Sequence, residues 1–330
     1  MDYLNKALKT GKLTLKNRLV MPPMATHKAE SDGNISQDIL NYYDEKSKGG
    51  YISLVIIEHS FVSQQGKASN SQLSIAENRF IEGLKKLAHV IHKNGSKTVM
   101  QINHAGSETR KADTGMEIVG PSAVVNPAIS GELPKELDKN EISDIVDQFK
   151  NAAVRVQKAG FDGVEIHCAH GYLLNQFLSP LTNKRTDEYG VDISGRMRIH
   201  LEIIRAIRKA VGEAFPILLR LGASDYMEGG LTLEDSKVAA HEFEKAGVDL
   251  LDISGGFCGY VVPGNNEPGY FSPLSWAIKE AVAIHVMVTG GITEAEQAEK
   301  ILCEGKADLI GVGRAIYKDS AWAKNAMENT

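Results

Sequence analysis

Eight short apolar runs recur along the chain, and each is followed by a segment with helical periodicity. Most of these runs are continuous stretches of Val, Ile, Leu and Met, which is typical of strands buried on both faces of a sheet. The predicted strands are Asn17–Met24, Ser53–Glu58, Lys97–Asn103, Gly163–His167, Ile217–Gly222, Asp249–Ser254, His285–Thr289 and Ala307–Val312. Such strands indicate a parallel sheet covered by helices.

Eight strand–helix units in alternation predict an α/β fold, a single (β/α)₈ TIM barrel forming one domain over residues 1–330. A doubly wound open sheet is the alternative. It is less favoured because no Gly-x-Gly-x-x-Gly follows the first strand and no Gly-Lys-Ser/Thr phosphate loop occurs. The connections after strands 3, 4 and 6 are long, spanning residues 104–140, 168–194 and 255–272. We expect them on the C-terminal rim of the barrel, where such folds build their sites.

Composition limits the classes of partner. The chain has 37 basic and 42 acidic side chains, a net charge of −5, and no Lys/Arg run, which argues against nucleic acid or a membrane surface. Its three cysteines, Cys168, Cys258 and Cys303, are too few and too scattered for a disulfide framework or an iron–sulfur cluster built from this chain alone. No apolar signal segment or membrane-length run occurs, so the expected location is cytoplasmic.

The residues at the predicted strand ends are mainly hydrogen-bond donors. They are Gln101, His167, His170, Tyr172 and Arg220. No strand ends in a lysine that could form a Schiff base, and no His-x-His or carboxylate cluster suggests a metal-dependent hydrolase. A rim of this kind indicates that a bound cofactor performs the chemistry while the protein orients and polarises the substrate.

The last two strands end in glycines. Gly290 and Gly291 follow the seventh strand, and Gly313 with Arg314 follows the eighth. Backbone N–H groups freed by glycine, with an added guanidinium, favour a phosphate site; simple tight turns are the alternative interpretation.

A metal site at His167, Cys168 and His170 is a further alternative. Neighbouring residues of an extended strand point to opposite faces, so His167 and Cys168 should diverge. We therefore expect no metal site, and we expect Cys168 to be a small buried apolar residue.

Several segments of the chain carry a family resemblance. They are Lys16–Met24, Gln101–Gly106, Val164–Leu173, Phe177–Pro180 and Arg185–Gly190. These motifs resemble the old yellow enzyme family of FMN-dependent NAD(P)H oxidoreductases and ene reductases, and the similarity spans essentially the whole chain. The match is closest to the N-terminal barrels of 2-enoate and 2,4-dienoyl-CoA reductases. Those larger enzymes continue into an iron–sulfur segment and a second flavin domain, whereas this sequence stops at Thr330, so we expect electrons to reach its own flavin directly.

The resemblance implies a role for each matching position. His167 and His170 would donate to a substrate carbonyl oxygen, and Tyr172 would protonate the α-carbon. Hydride would pass from NADH or NADPH through flavin N5 to the β-carbon of a small α,β-unsaturated substrate. The implied contacts of a tightly bound FMN are Pro23, Met24, Ala25, His59, Gln101, Arg220, Gly290, Gly291, Gly313 and Arg314.

Two positions depart from the family pattern. Ala25 stands where the family usually has a Thr or Cys that contacts the flavin C4 carbonyl, so this contact is lost unless Thr26 or His27 replaces it. The segment Lys318–Thr330 has no counterpart of the arginine that one branch extends into a neighbouring subunit, so a homo-oligomer is left open and a shared site is not expected. Two other functions remain open: a non-redox phosphosugar or metal-dependent enzyme using His167 and His170, and a flavin-binding barrel without alkene reductase activity.

Overall fold

Eight parallel strands close into a barrel in a computed structural model that describes residues 1–129 and 131–328. The strands are β1 (Leu19–Met21), β2 (Leu54–Phe61), β3 (Lys97–Asn103), β4 (Gly163–Cys168), β5 (Ile217–Gly222), β6 (Leu250–Ser254), β7 (His285–Thr289) and β8 (Leu309–Gly311). Each pairs in parallel with its neighbours along the chain, and β8 pairs with β1 to complete the ring. The predicted barrel is confirmed, and the open-sheet alternative is wrong.

Strand bounds differ from the prediction where local chemistry overrides the apolar pattern. The first strand ends at Met21, before Pro22 and Pro23, because proline has no N–H to donate to a ladder. In contrast, β2 continues past its predicted end to Phe61, with a register shift between Ile57 and Ser60. Such a bulge allows the strand to bend while it keeps its neighbours.

Helices follow the strands around the outside of the barrel. They are α1 (Gln37–Ser47), α2 (Ile81–Lys93), α3 (Lys139–Lys158), α4 (Arg198–Val211), α5 (Leu233–Ala246), α6 (Ser272–Lys279), α7 (Ala295–Cys303), α8 (Arg314–Lys318) and α9 (Trp322–Glu328). Side chains mark several starts: Asp138 and Glu141 form a reciprocal capping box at α3, and Thr232 caps α5. No helix in the described ranges combines the length and apolarity needed to cross a bilayer.

Several connections form the C-terminal rim. Residues 104–138 follow β3, 169–197 follow β4 and 255–271 follow β6. The connection after β2, residues 62–80, is also long, although the sequence pattern did not single it out. The connections include short helices at Lys111–Thr114, Leu173–Leu178 and Ile193–Arg196, 3₁₀ turns at Gln64–Gly66 and Asn78–Phe80, and the strand pair Val119–Gly120 with Lys135–Glu136.

The barrel interior changes from apolar to polar along each strand. The lower layer includes Val99, Leu218, Leu250, Met287 and Leu309, which pack with the N-terminal hairpin of Leu8–Lys9 and Thr14–Leu15. Side chains alternate between faces with a period of two, so the next inward-facing positions lie two residues further along. Those positions are Gln101, Arg220, Asp252, Thr289 and Gly311. The apolar lower layer therefore lies beneath a layer of mainly polar residues, which is directly below the mouth of the barrel.

Candidate active site

A cavity of about 720 Å³ opens at the C-terminal mouth of the barrel, and its wall contains residues from or just after every barrel strand. This size suits a cofactor with a small substrate. All the site residues predicted from the sequence line it: Pro23, Met24, Ala25, His59, Gln101, His167, His170, Tyr172, Arg220, Gly290, Gly291, Gly313 and Arg314. The structure thus brings them together, and their individual roles remain predictions.

His167, His170 and Tyr172 form a cluster on one wall. The ring of His167 lies 5.0 Å from the ring of His170 and 5.0 Å from that of Tyr172, centroid to centroid. The chain turns back toward the cavity because His170 and Gly171 both adopt positive φ, +59° and +75°. This conformation is uncommon for a residue with a side chain. The Nε2 atom of His170 lies 2.8 Å from the Oγ atom of Ser254, at the end of β6.

The electrostatics of this cluster keep its members neutral. Burial, together with repulsion from neighbouring imidazoles and from Arg220, holds the pKa values of His167 and His170 well below the usual histidine range. Burial and the nearby Glu108 carboxyl raise the pKa of Tyr172, so its hydroxyl stays protonated. A neutral imidazole has one N–H donor and a neutral phenol has one O–H donor. The cluster therefore offers donors without adding positive charge.

His59 supports this wall from β2. Its ring stacks on Tyr172 with centroids 5.4 Å apart. Its Nδ1 atom lies 3.0 Å from the Gln72 side-chain nitrogen, which makes Nδ1 an acceptor and leaves the proton on Nε2. Burial and repulsion from His27 and Arg220 lower the pKa of His59 to about 4.

The floor of the cavity contains a group that the sequence pattern did not reveal. Gln101 Nε2 donates to Glu165 Oε1 at 2.8 Å, and Arg220 Nε lies 3.2 Å from Asp252 Oδ2. Glu165 and Asp252 are both fully buried. The only sequence signal for them is a carboxylate inside an otherwise apolar strand, which is unusual because a buried charge is costly without a partner.

The opposite end of the cavity presents free backbone donors. The N–H groups of Gly290, Gly291, Gly313 and Arg314 find no acceptor among the described residues. At Gly291, φ is +67° and a Cβ would lie 2.7 Å from the Tyr270 ring, so a side chain would be both strained and crowded. Convergent free N–H groups beside a guanidinium suit a phosphate.

Tyr270 is a site residue that sequence reasoning missed. It lines the cavity, and its hydroxyl accepts a hydrogen bond from Arg314 Nη2 at 3.0 Å while donating to the Tyr260 carbonyl at 2.5 Å. Tyr260, Val261, Asn265 and Asn266 from the same connection also line the cavity. The predicted length of this connection was the only signal for them.

The segment after β1 shows which residue could replace the donor absent at Ala25. The Thr26 side chain donates to Glu58 Oε1 at 3.0 Å and does not line the cavity. His27 does line it. Of the two substitutes considered from the sequence, only His27 is therefore placed to act.

The cavity residues fit FMN in two respects. Unpaired N–H groups and Arg314 suit its phosphate at one end, and the Gln101 amide and Arg220 guanidinium suit the polar edge of its ring system at the other. These residues suit a metal ion less well than FMN, because within residues 1–129 and 131–328 no group of three or more His, Cys, Asp or Glu is placed to hold one. Cys168 is fully buried in the apolar core, as expected, whereas His167 lines the cavity.

Comparison with known proteins supports this interpretation. The model of the NADH:flavin oxidoreductase / NADH oxidase family matches residues 4–330. The NADH oxidase of Thermoanaerobacter brockii is 44% identical over 324 residues, which cover 96% of this chain and 50% of that protein. An NADPH dehydrogenase of Listeria monocytogenes is 41% identical over 327 residues, covering 99% and 94% of the two chains.

A solved structure of 2-naphthoyl-CoA reductase in complex with 2-naphthoyl-CoA superposes with a TM-score of 0.95 at 29% identity. The match covers 99% of this chain and 52% of that one, so the chain spans about half the length of this reductase and of the NADH oxidase. The expected FMN agrees with the family, and the expected reductant, NADH or NADPH, agrees with the names NADH oxidase and NADPH dehydrogenase. The chain belongs to the NADH:flavin oxidoreductase / NADH oxidase family.

Proposed function

We propose that the protein uses NADH or NADPH and bound FMN to reduce the carbon–carbon double bond of an enone, enal, enoate or enoyl thioester. The observation that carries this proposal is the cluster of three neutral donors, His167, His170 and Tyr172, on the wall of a cavity whose floor holds Arg220. The 2-naphthoyl-CoA reductase supports a conjugated thioester as one substrate class.

The chain offers contacts to both ends of FMN. Gly290, Gly291, Gly313 and Arg314 would hold its phosphate, and Gln101 with Arg220 would hold the pyrimidine edge of its ring system. Bound FMN would supply the redox chemistry by carrying two electrons between a reduced nicotinamide and the acceptor. The positive charge of the Arg220 guanidinium would favour negative charge on the ring system.

The histidine pair would act on the substrate oxygen. As the β-carbon of the alkene gains hydride, negative charge develops on the conjugated carbonyl oxygen. Two N–H donors, from His167 and His170, would stabilise that charge, and one donor of this kind typically contributes about 3 kcal/mol. Their neutral state matters for His170, because its ring then keeps one nitrogen free of a proton for the contact with Ser254.

Tyr172 would complete the reaction. Its hydroxyl, kept protonated by burial, would give a proton to the α-carbon, and the tyrosinate would then regain a proton from solvent. The alkene gains one hydride and one proton, so NAD(P)H and one proton are consumed for each saturated product. One cavity of about 720 Å³ favours alternating occupancy by the nicotinamide and the alkene.

Two measurements test the proposal. The purified protein should be yellow and release one equivalent of FMN on denaturation. Under anaerobic conditions, holoprotein reduced with NADH or NADPH should be reoxidised by 2-cyclohexenone, with cyclohexanone as the product. Reduction by nicotinamide without reoxidation by several activated alkenes would identify a flavin-binding barrel of another activity. A colourless protein with stoichiometric zinc would favour a metal-dependent enzyme.

A further inference from the structure

Three ionisable side chains lie on adjacent strands in the floor of the cavity: Glu165 on β4, Arg220 on β5 and Asp252 on β6. Both carboxyl groups are fully buried, and the side chain of Arg220 is 5% exposed. Arg220 and Asp252 are paired in the barrel register, and Arg220 Nε lies 3.2 Å from Asp252 Oδ2. The proposed reaction assigns a role to Arg220 but none to the two carboxyl groups.

The triad is short of one positive charge. Two ionised carboxylates beside a single guanidinium would leave one buried negative charge without compensation, which is strongly unfavourable in a low-dielectric interior. One of the two carboxyl groups must therefore hold a proton. The other ionisable groups that face this layer, His59 on β2 and His167 on β4, are neutral and supply no compensating charge.

Contacts identify the protonated member as Glu165. Its one hydrogen-bond partner among the described residues is the neutral Gln101 amide, at 2.8 Å, and its Oε2 atom has none. Asp252 instead has the Arg220 guanidinium beside it. Burial and the Asp252 charge raise the pKa of Glu165 well above its usual range. Burial also raises the pKa of Asp252, but only to about 6, because the Arg220 guanidinium opposes the shift, so Asp252 is the member that is ionised at pH 7.

The same contacts determine which polar atoms of Arg220 and Gln101 remain free for a ligand in the cavity. Asp252 lies against the Nε side of Arg220, and neither Nη atom of Arg220 has a hydrogen-bond partner in the described chain, so the Nη groups remain available to a ligand. Glu165 takes one N–H of Gln101, so the remaining N–H and the carbonyl of that amide are available.

We propose that Asp252 is a positioning residue that lowers the reduction potential of bound FMN by partly neutralising Arg220, while a protonated Glu165 orients Gln101. This inference rests on the proposed placement of FMN over Arg220. Reduction adds negative charge to the ring system, which the Arg220 cation stabilises and the Asp252 anion opposes. With Asp252 ionised, the reduced form of bound FMN is a stronger reductant than it would be beside Arg220 without Asp252.

Asp252→Asn and Glu165→Gln separate the roles of the two acids, because each substitution changes a buried carboxyl group to its amide in the same layer of the barrel. Asp252→Asn should favour reduced over oxidised FMN about tenfold, which is a rise of about 30 mV for a two-electron couple. Glu165→Gln removes no charge if Glu165 is protonated, so the same ratio should change by less than about twofold, within about 10 mV. Asp252→Glu restores the anion and should bring the potential back toward that of the wild type.

The measurement is the midpoint potential of holoprotein, titrated against a reference dye, with FMN content and circular dichroism recorded for each variant. Protein without bound FMN would contradict the proposed function itself. Protein with bound FMN whose potential does not rise in Asp252→Asn, or rises equally in Glu165→Gln, would overturn this inference alone.

If Asp252→Asn does not fold, infrared spectroscopy tests whether Glu165 is the protonated carboxyl group. At pH 9, above the pKa values of about 7 of the buried Glu58 and Glu108, the infrared spectrum of wild-type holoprotein minus that of Glu165→Gln should show the C=O stretch of a protonated buried carboxyl. The absence of such a band from this difference spectrum would overturn the proposed charge assignment.

Discussion

The Nε2 atom of His170 lies 2.8 Å from the Oγ atom of Ser254, so a hydroxyl at the end of β6 holds an imidazole that is carried by the connection after β4. This contact occupies one ring nitrogen, and in the proposed reaction the other would donate to the substrate oxygen. Ser254→Ala should lower kcat/KM for 2-cyclohexenone about fivefold, which corresponds to a net hydrogen bond of about 1 kcal/mol. The rate of reduction by NAD(P)H should not change.

Ser254→Thr is the control for that substitution, because it keeps the hydroxyl. It should retain more alkene activity than Ser254→Ala. Equal losses in the nicotinamide and alkene half-reactions of Ser254→Ala would indicate a general distortion of the cavity and contradict a role in orienting His170.

Tyr172→Phe should separate the two half-reactions. Loss of the proton donor should slow reoxidation of the reduced protein by 2-cyclohexenone by about 100-fold or more, while reduction by NAD(P)H stays within about threefold of the wild type. Anaerobic stopped-flow absorbance measures both rates. Ferricyanide, which accepts electrons without protonation of carbon, should reoxidise both proteins at similar rates. An unchanged rate with the alkene would exclude Tyr172 as the proton donor.

Arg314→Gln should weaken the binding of FMN but not that of riboflavin, which lacks the phosphate. Loss of a charge-assisted hydrogen bond of about 2 kcal/mol raises the dissociation constant about 30-fold. Quenching of flavin fluorescence during titration of apoprotein gives both constants. Because Arg314 also donates to Tyr270 at 3.0 Å, Tyr270→Phe serves as a control for the loss of that contact. Equal weakening for both flavins would place the phosphate elsewhere.

His200 provides a pH test outside the cavity. It lies in α4, is 1% exposed, and its Nε2 atom lies 2.8 Å from the Leu174 carbonyl oxygen. Burial lowers its pKa to about 4. The unfolded chain takes up a proton near pH 6.5 whereas the folded chain does not, so the contribution of His200 to stability is complete above 6.5 and is lost as the pH falls toward 4. The loss amounts to about 3 kcal/mol.

The comparison with His200→Gln isolates this contribution. Burial raises the pKa values of Glu58 and Glu108 to about 7. These two groups therefore increase the free energy of unfolding as the pH falls below 7, which opposes the effect of His200. The difference in unfolding free energy between the wild type and His200→Gln should therefore shrink between pH 7 and pH 4, as measured by urea denaturation. A constant difference would show that His200 titrates normally in the folded protein.

The strands that carry the site were predictable because their signal is local. A run such as Ile217–Gly222 is continuous and apolar, since both of its faces are buried, and the residue at its end is read directly from the sequence. Once eight such runs predicted a barrel, their ends were expected at one mouth. His167 and Arg220 could thus be placed together before any contact was known.

By itself, the sequence determined the repeated strand–helix order, and through it the barrel and the set of residues at its mouth. Only the tertiary structure decided which of those residues touch. Gln101 and Glu165 are 64 positions apart and Arg220 and Asp252 are 32 apart, and both pairs depend on the register between adjacent strands. The contact of Tyr270 with Arg314 likewise depends on the path of a long connection across the rim. Register and loop path are set by packing of the whole barrel, and no local pattern of residues encodes them.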